Sequence, residues 1–263
     1  MKKTASGLYM GLVFLFLYFP ILLMIFFSFN SNSTVTVFES FTFENYLNIF
    51  QDERLMEALF NTLIIALLSS LIACVLGTLG AIVIYNMRGV KKTLYSNVSN
   101  LPIINPEIVT GISLMMLFVF ILGNNLGMLT VLLAHVVFNT PYVLLNVLPR
   151  LRKMNVNMYE AALDLGCRPT KAFFKVVMPE IFPGIFAGFL IAFTYSVDDF
   201  IISYFTGGTF QTLSVYINNS LKKGVKPWML AMSGLIFLVV LLVLLIMNIR
   251  DSKMEKERLA KKY

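Results

Sequence analysis

Two adjacent carboxylates, Asp198 and Asp199, sit in a stretch that is otherwise apolar and aromatic, AFTYSVDDFIISYF. A charged side chain at the centre of a bilayer costs about 2.5–3.5 kcal/mol on insertion scales, so acids in such a place have a function or a partner. The chemistry open to this pair is the binding of cations. Tyr195, Ser196 and Tyr204, with Phe200 and Phe205, surround the pair in sequence. Carboxylates with aromatic walls suit a flexible organic cation, whose ammonium groups pair with the acids while its methylenes rest on the rings. Glu107, in NPEIVTGISL, is a third acid in an apolar run. Three acids without Lys or Arg make the apolar runs formally anionic, which favours a cation over sulfate, molybdate or phosphonate. The competing reading for each acid is helix packing. Neighbours on an unbroken helix point about 100° apart, so one of Asp198 and Asp199 faces a passage while the other bonds a helix.

The elements that must hold these residues are hydrophobic helices. Of 263 residues 58% are hydrophobic and 13% charged, against roughly 25% charged in ordinary globular domains. Mean hydropathy is +0.79. About 20 apolar residues span a bilayer as a helix, and six runs qualify: 7–29, 59–85, 98–122, 128–148, 181–205 and 228–248. The fold class expected is all-α, a single polytopic membrane domain over 1–263 with six transmembrane helices. The first run exceeds a signal-peptide core and no small-residue cleavage site follows, so it reads as a retained helix.

Orientation follows from the basic residues. With the N-terminus in the cytoplasm, the inside segments carry 17 of the 21 Lys and Arg residues. The outside keeps only Arg54, Lys222, Lys223 and Lys226, and its first loop is acidic. Both termini are expected to be cytoplasmic. The net charge of +7 is this topology signal, so no nucleic-acid partner is implied. The tail from Arg250 reads as a helix end beside anionic lipid headgroups.

The chain contains no Gly-rich phosphate loop and no HExxH, GxSxG or CxxC, so it is not read as an enzyme and no metal or cofactor is assigned to it. ATP and Mg, if they drive transport, belong to a partner ATPase. Cys74 and Cys167 fall in different compartments and do not pair. His135, the single histidine, reads as a bonded helix residue, because no second His or Cys accompanies it.

The inside loop 155–179 has a pattern of its own. Asn157 followed by Glu160 is an N-cap signal. Met158, Ala161, Ala162 and Leu165 share one helical face, with Glu160 and Asp164 opposite. Gly166 suits the turn that stops the helix. Pro169 can open a second helix to Val177, with Pro179 before the next span. Periodicity alone leaves two readings open. The short helix folds onto its own membrane domain or lies in the membrane interface, or it docks into a cytoplasmic partner.

Glu160, Ala161, Ala162, Gly166, Val176, Met178 and Pro179 resemble, in type and spacing, the EAA signature of type I ABC-importer permeases. Val176 and Met178 stand where Ile and Leu are usual. The resemblance implies that Met158, Tyr159, Glu160, Ala161, Ala162, Leu165 and Gly166 dock a separate ATPase dimer as a coupling helix. Together with PEIVTGISL and SVDDFIISYFTGG, it is strongest to the polyamine (spermidine/putrescine) importer permeases, in the position of the second permease subunit. Such a resemblance implies a multi-pass protein of a bacterial inner membrane. Its partners would be a sister permease, with which it forms a heterodimer, and an extracytoplasmic polyamine-binding protein. Asp198, Asp199, Ser196, Tyr195, Glu107 and Tyr204 are the candidate substrate pathway. A permease for another small ligand, and an ion-coupled secondary transporter whose acids relay protons, are the alternatives.

Overall fold

The computed structural model describes residues 2–32, 34–222, 224–238 and 241. The described residues are helical apart from turns and one isolated bridge, Asn30 to Phe41. The helices are α1 (Lys2–Ser28), α2 (Glu44–Gln51), α3 (Glu53–Asn86), α4 (Gly89–Ile104), α5 (Glu107–Leu122), α6 (Met128–Lys153), α7 (Val156–Asp164), α8 (Pro169–Ala172), α9 (Met178–Asp198), α10 (Ile201–Thr206) and α11 (Leu213–Leu221). A twelfth, α12, covers Pro227–Leu238. Four helical stretches are long and apolar enough to cross a membrane: Tyr9–Ser28, Glu53–Asn86, Met128–Lys153 and Pro169–Asp198. Glu107–Leu122 and Pro227–Leu238 are shorter apolar helices. The rest of the expected sixth span and the basic tail lie outside the described residues.

Two expected spans are interrupted. The run 98–122 is split between α4 and α5 at Asn105–Pro106. Proline has no N–H to donate and disfavours helical backbone in the residue before it. Accordingly Asn105 is extended, with ψ 132°, and its side chain bridges the break to Thr110 Oγ1 at 2.9 Å. The run 181–205 is split at Asp199, where ψ is 125°. On its other side this span begins earlier than expected. Pro169–Asp198 is one continuous helix of 30 residues, with a π-helical turn over Phe173–Val177. Pro179 cannot bond back to Lys175 and its ring crowds that carbonyl. A wider turn just before it absorbs the clash and keeps the helix intact.

The chain divides into two compact units, Met1–Met56 with Ile217–Tyr263, and Glu57–Tyr216. In the first, buried Asn30 organises the loop after α1. Its Nδ2 donates to Thr34 O and Val37 O at 3.0 and 2.7 Å, and its Oδ1 accepts from Glu39 N at 3.1 Å. Tyr46 hydrogen-bonds Ser28 Oγ at 2.7 Å.

In the second unit α6 is central, and small residues let its neighbours approach closely. A Cβ on Gly188 of α9 would lie 2.9 Å from Val143 Cα, and one on Gly184 would lie 2.7 Å from Asn146 O. Gly184 and Gly188 form a G-x-x-x-G face, which gives membrane helices van der Waals contact where no hydrophobic drive exists between them. Ala73, Ala81, Val143, Val147, Leu151 and Ile181 fill the core on this side. Leu114, Phe118, Ala134, Phe138 and Ile202 fill it beside α5 and α10.

Candidate functional site

The two aspartates lie in opposite environments. Asp198 is exposed at the end of α9, whereas Asp199 is buried. The carboxylate of Asp199 accepts from Ile202 N through Oδ1 at 3.1 Å and from Ser203 N through Oδ2 at 2.8 Å. It therefore caps α10 from just before its first turn, a role in which Asp competes well with continued helix. That cap is the physical reason the expected single span breaks here. The 100° separation expected of an unbroken helix does not apply across it.

His135 of α6 completes the arrangement. Its Nε2 lies 3.2 Å from Asp199 Oδ2, with the two side chains 2% and 3% exposed. Both carboxylate oxygens already accept from backbone amides, so Nε2 is the hydrogen donor between the ring and the acid. His135 Nδ1 is 2.6 Å from Ser196 Oγ, and Nε2 is 3.0 Å from Ser203 Oγ. Ser196 Oγ continues to Ser69 Oγ of α3 at 3.2 Å, which accepts from Asn139 Nδ2 at 3.3 Å. This buried chain joins α3, α6, α9 and α10. His135 is thus a bonded helix residue, as expected, and Ser196 lies in the interior and not on an open face. No cluster of three or more metal-ligating side chains occurs among the described residues.

An aromatic face lies beside Asp198. Tyr195, 43% exposed, one turn earlier on α9, stacks at a tilt on Tyr142 of α6 with centroids 4.7 Å apart. Phe138 meets both rings edge-on, at 5.3 and 6.1 Å. A cavity of about 520 Å³ is lined by Tyr142, Leu190, Ile191, Thr194 and Tyr195. Glu107 is exposed in the first turn of α5, where a helix N-terminus favours a carboxylate. The structure therefore brings Tyr142 and Tyr195 together from two helices. Tyr204 of α10 is 46% exposed and stacks on Phe200 at 5.4 Å. Sequence reasoning missed Tyr142. It stands in an ordinary apolar helix and no local pattern sets it apart.

The inside loop forms the expected helix with a different start. Asn155, not Asn157, is the cap, its side chain accepting from Asn157 N at 3.1 Å. At the other end Gly166, with φ +80°, receives the chain in a left-handed turn. Cys167 N donates to Ala162 O at 3.0 Å and Gly166 N to Leu163 O at 2.8 Å, the paired bonds of a Schellman motif. Tyr159 packs inward on the core with Phe173. Ile82, Tyr85, Leu151, Tyr159 and Leu163 line a cavity of about 460 Å³ there. The apolar face points away: Met158 is 52% and Leu165 88% exposed, and Glu160 and Ala161 are exposed as well. Met158 and Leu165 therefore do not pack on the chain's own helices.

A profile of the binding-protein-dependent transport system inner membrane component family matches residues 73–256. The chain belongs to that family. Among curated members it is similar to the putrescine transport system permease protein PotI of Escherichia coli K12, with 36% identity over 94% of this chain and 90% of the relative. It is also similar to the spermidine/putrescine transport system permease protein PotC of the same strain, with 34% identity over 93% of this chain and 92% of the relative. A PotC homolog of Mycoplasma genitalium is 28% identical over 98% of this chain and 94% of its own. In fold the chain resembles a bacterial ABC transporter involved in the import of the acidic polysaccharide alginate. That match has a TM-score of 0.73 at 12% identity and covers 95% of each chain. This permease is a multi-pass inner-membrane transport subunit, not an enzyme.

Proposed function

We propose that this permease forms half of the passage by which an ATP-driven importer carries polyamines, spermidine or putrescine, across the inner membrane. The observation that carries the reading is an exposed carboxylate, Asp198, one helical turn along α9 from Tyr195 of the Tyr142–Tyr195 pair, in a chain 36% identical to a putrescine permease. A polyamine offers ammonium groups for Asp198 and Glu107 and methylenes for the rings between. Tyr204 lines the passage one helix further on. Asp199 and Ser196 are withdrawn from substrate contact in this reading, because both are spent on the buried chain.

Six spans with both termini in the cytoplasm place Asp198 in the outer third of the membrane, about 26 Å along a helix entered at Ile181 at 1.5 Å per residue. A binding protein delivers substrate to that side, and a sister permease supplies the opposite wall. On the inside, Met158, Ala161 and Leu165 seat in a groove of a separate ATPase, whose closure is transmitted through α7 to the core under Tyr159. ATP and Mg are handled by that subunit alone.

The test is uptake of labelled spermidine and putrescine by the complete complex in proteoliposomes, with ATP inside and binding protein outside. ATP-dependent uptake of either, competed by the other and not by amino acids or thiamine, is expected. Uptake of an unrelated ligand only, or proton-driven flux without ATP, would overturn the reading.

A further inference from the structure

The two aspartates share a sequence address and little else, and something must hold them in opposite environments. That is the task of the break after α9. On an unbroken helix the Ile202 and Ser203 amides would bond back to carbonyls four residues earlier. Here both bond the Asp199 carboxylate instead. His135 touches this break at three points: Ser196 before it, Asp199 at it and Ser203 after it. It is itself 1% exposed, so it cannot meet a substrate.

We propose that His135 is a positioning residue for transport: by holding Asp199 in the interior it fixes the break that leaves Asp198 on the open face. The proposal rests on Asp198 being the carboxylate that meets the cation. A role in stability alone is the poorer account. Buried ion pairs add little net stability over apolar packing of the same shape, and their best-attested use is to select one arrangement among several. The pair here selects a bent helix over a straight one. A straight α9–α10 would leave Asp198, the last residue of α9, where it is but stack Ile201 and Ile202, three and four residues on, over it, and the open face would close.

The experiment uses the complete complex in proteoliposomes and two readouts. The first is labelled spermidine uptake for His135→Ala, His135→Gln, Asp198→Asn and the double variant His135→Ala with Asp198→Asn. If His135 acts through Asp198, each single change lowers uptake about tenfold and the double is within about twofold of the worse single, since groups acting as one unit are not additive. His135→Gln keeps a donor and recovers most of the loss. Losses that multiply in the double variant, or wild-type uptake in His135→Ala, would overturn the proposal. The second readout is independent of substrate. Asp198→Cys, with Cys74 and Cys167 replaced by Ser, is labelled by a membrane-impermeant maleimide from outside, and His135→Ala is expected to change the rate at least fivefold. An unchanged rate would also overturn it. Should His135→Ala fail to assemble, Asp199→Asn, which keeps the shape and removes the charge, takes its place with the same expected change. If Asp198→Asn transports normally but the labelling rate still shifts, the substrate reading falls and the positioning role stands.

Discussion

His135 Nε2 lies 3.2 Å from Asp199 Oδ2, and that contact separates two acids that are adjacent in the chain. One is consumed in ending a helix, capping the next and bonding α6. The other is left for chemistry. The doublet, an energetic anomaly in a membrane run, is divided between a buried structural acid and an exposed one, which the proposed function assigns to the substrate.

This division has a stability signature. Removing Asp199 leaves His135 and the Ile202 and Ser203 amides without their acceptor, at a cost of about 1–3 kcal/mol for each buried group left unsatisfied. Asp199→Ala is therefore expected to lower the thermal midpoint of the purified complex by many degrees. Asp198→Asn, at an exposed site, should leave it within the error of the scan. Differential scanning fluorimetry on both variants checks this.

The α6–α9 approach is equally exposed to test. A methyl on Gly188 would meet Val143 Cα at 2.9 Å, a backbone atom that cannot turn aside. Overpacking of this kind costs about 1–3 kcal/mol. Gly188→Ala should reduce complex yield and thermal midpoint, and Gly188→Leu should abolish assembly. Gly7→Ala, where nothing lies within 4 Å, should do neither.

Leu165, at 88% exposure, packs little against the rest of the chain. Leu165→Asp should leave the permease folded yet weaken its association with the ATPase by tenfold or more, the effect of losing about 1.4 kcal/mol or more. Co-purification of the ATPase with the variant permease gives the answer. Undiminished capture would remove α7 as the docking element.

Gly166 tests the same helix through its backbone. At φ +80° a side chain costs about 1–2 kcal/mol. Gly166→Val should unseat the end of α7 and uncouple ATP hydrolysis from uptake. The ratio of phosphate released to substrate imported is the quantity to follow, and it is expected to rise severalfold.

Much of this architecture was legible from hydropathy and spacing, and what was not has identifiable causes. The apolar helices announced themselves because 20 apolar residues in a row have few other uses. The helix in 155–179 was legible from its face and its closing glycine, although the cap is Asn155 and not Asn157, which had the local signal of Glu160 three residues on. The two breaks escaped because hydropathy sees composition and not backbone. Pro106 carried a local signal for one of them. Asp199 carried none, since an aspartate breaks a helix only when its carboxylate finds the next amides and a partner such as His135, 64 positions away. The Tyr142–Tyr195 contact was invisible for the same reason. It joins two helices that meet only after the Gly184–Gly188 face has packed.

The most direct measurement is ATP-driven uptake of spermidine and putrescine by the reconstituted complex carrying Asp198→Asn beside the wild type, at saturating binding protein. Loss of the charge at unchanged shape should lower uptake of both about tenfold, as expected for a charge-assisted contact worth roughly 1.5 kcal/mol, with ATPase association and thermal midpoint unchanged. Wild-type uptake in that variant would contradict the account.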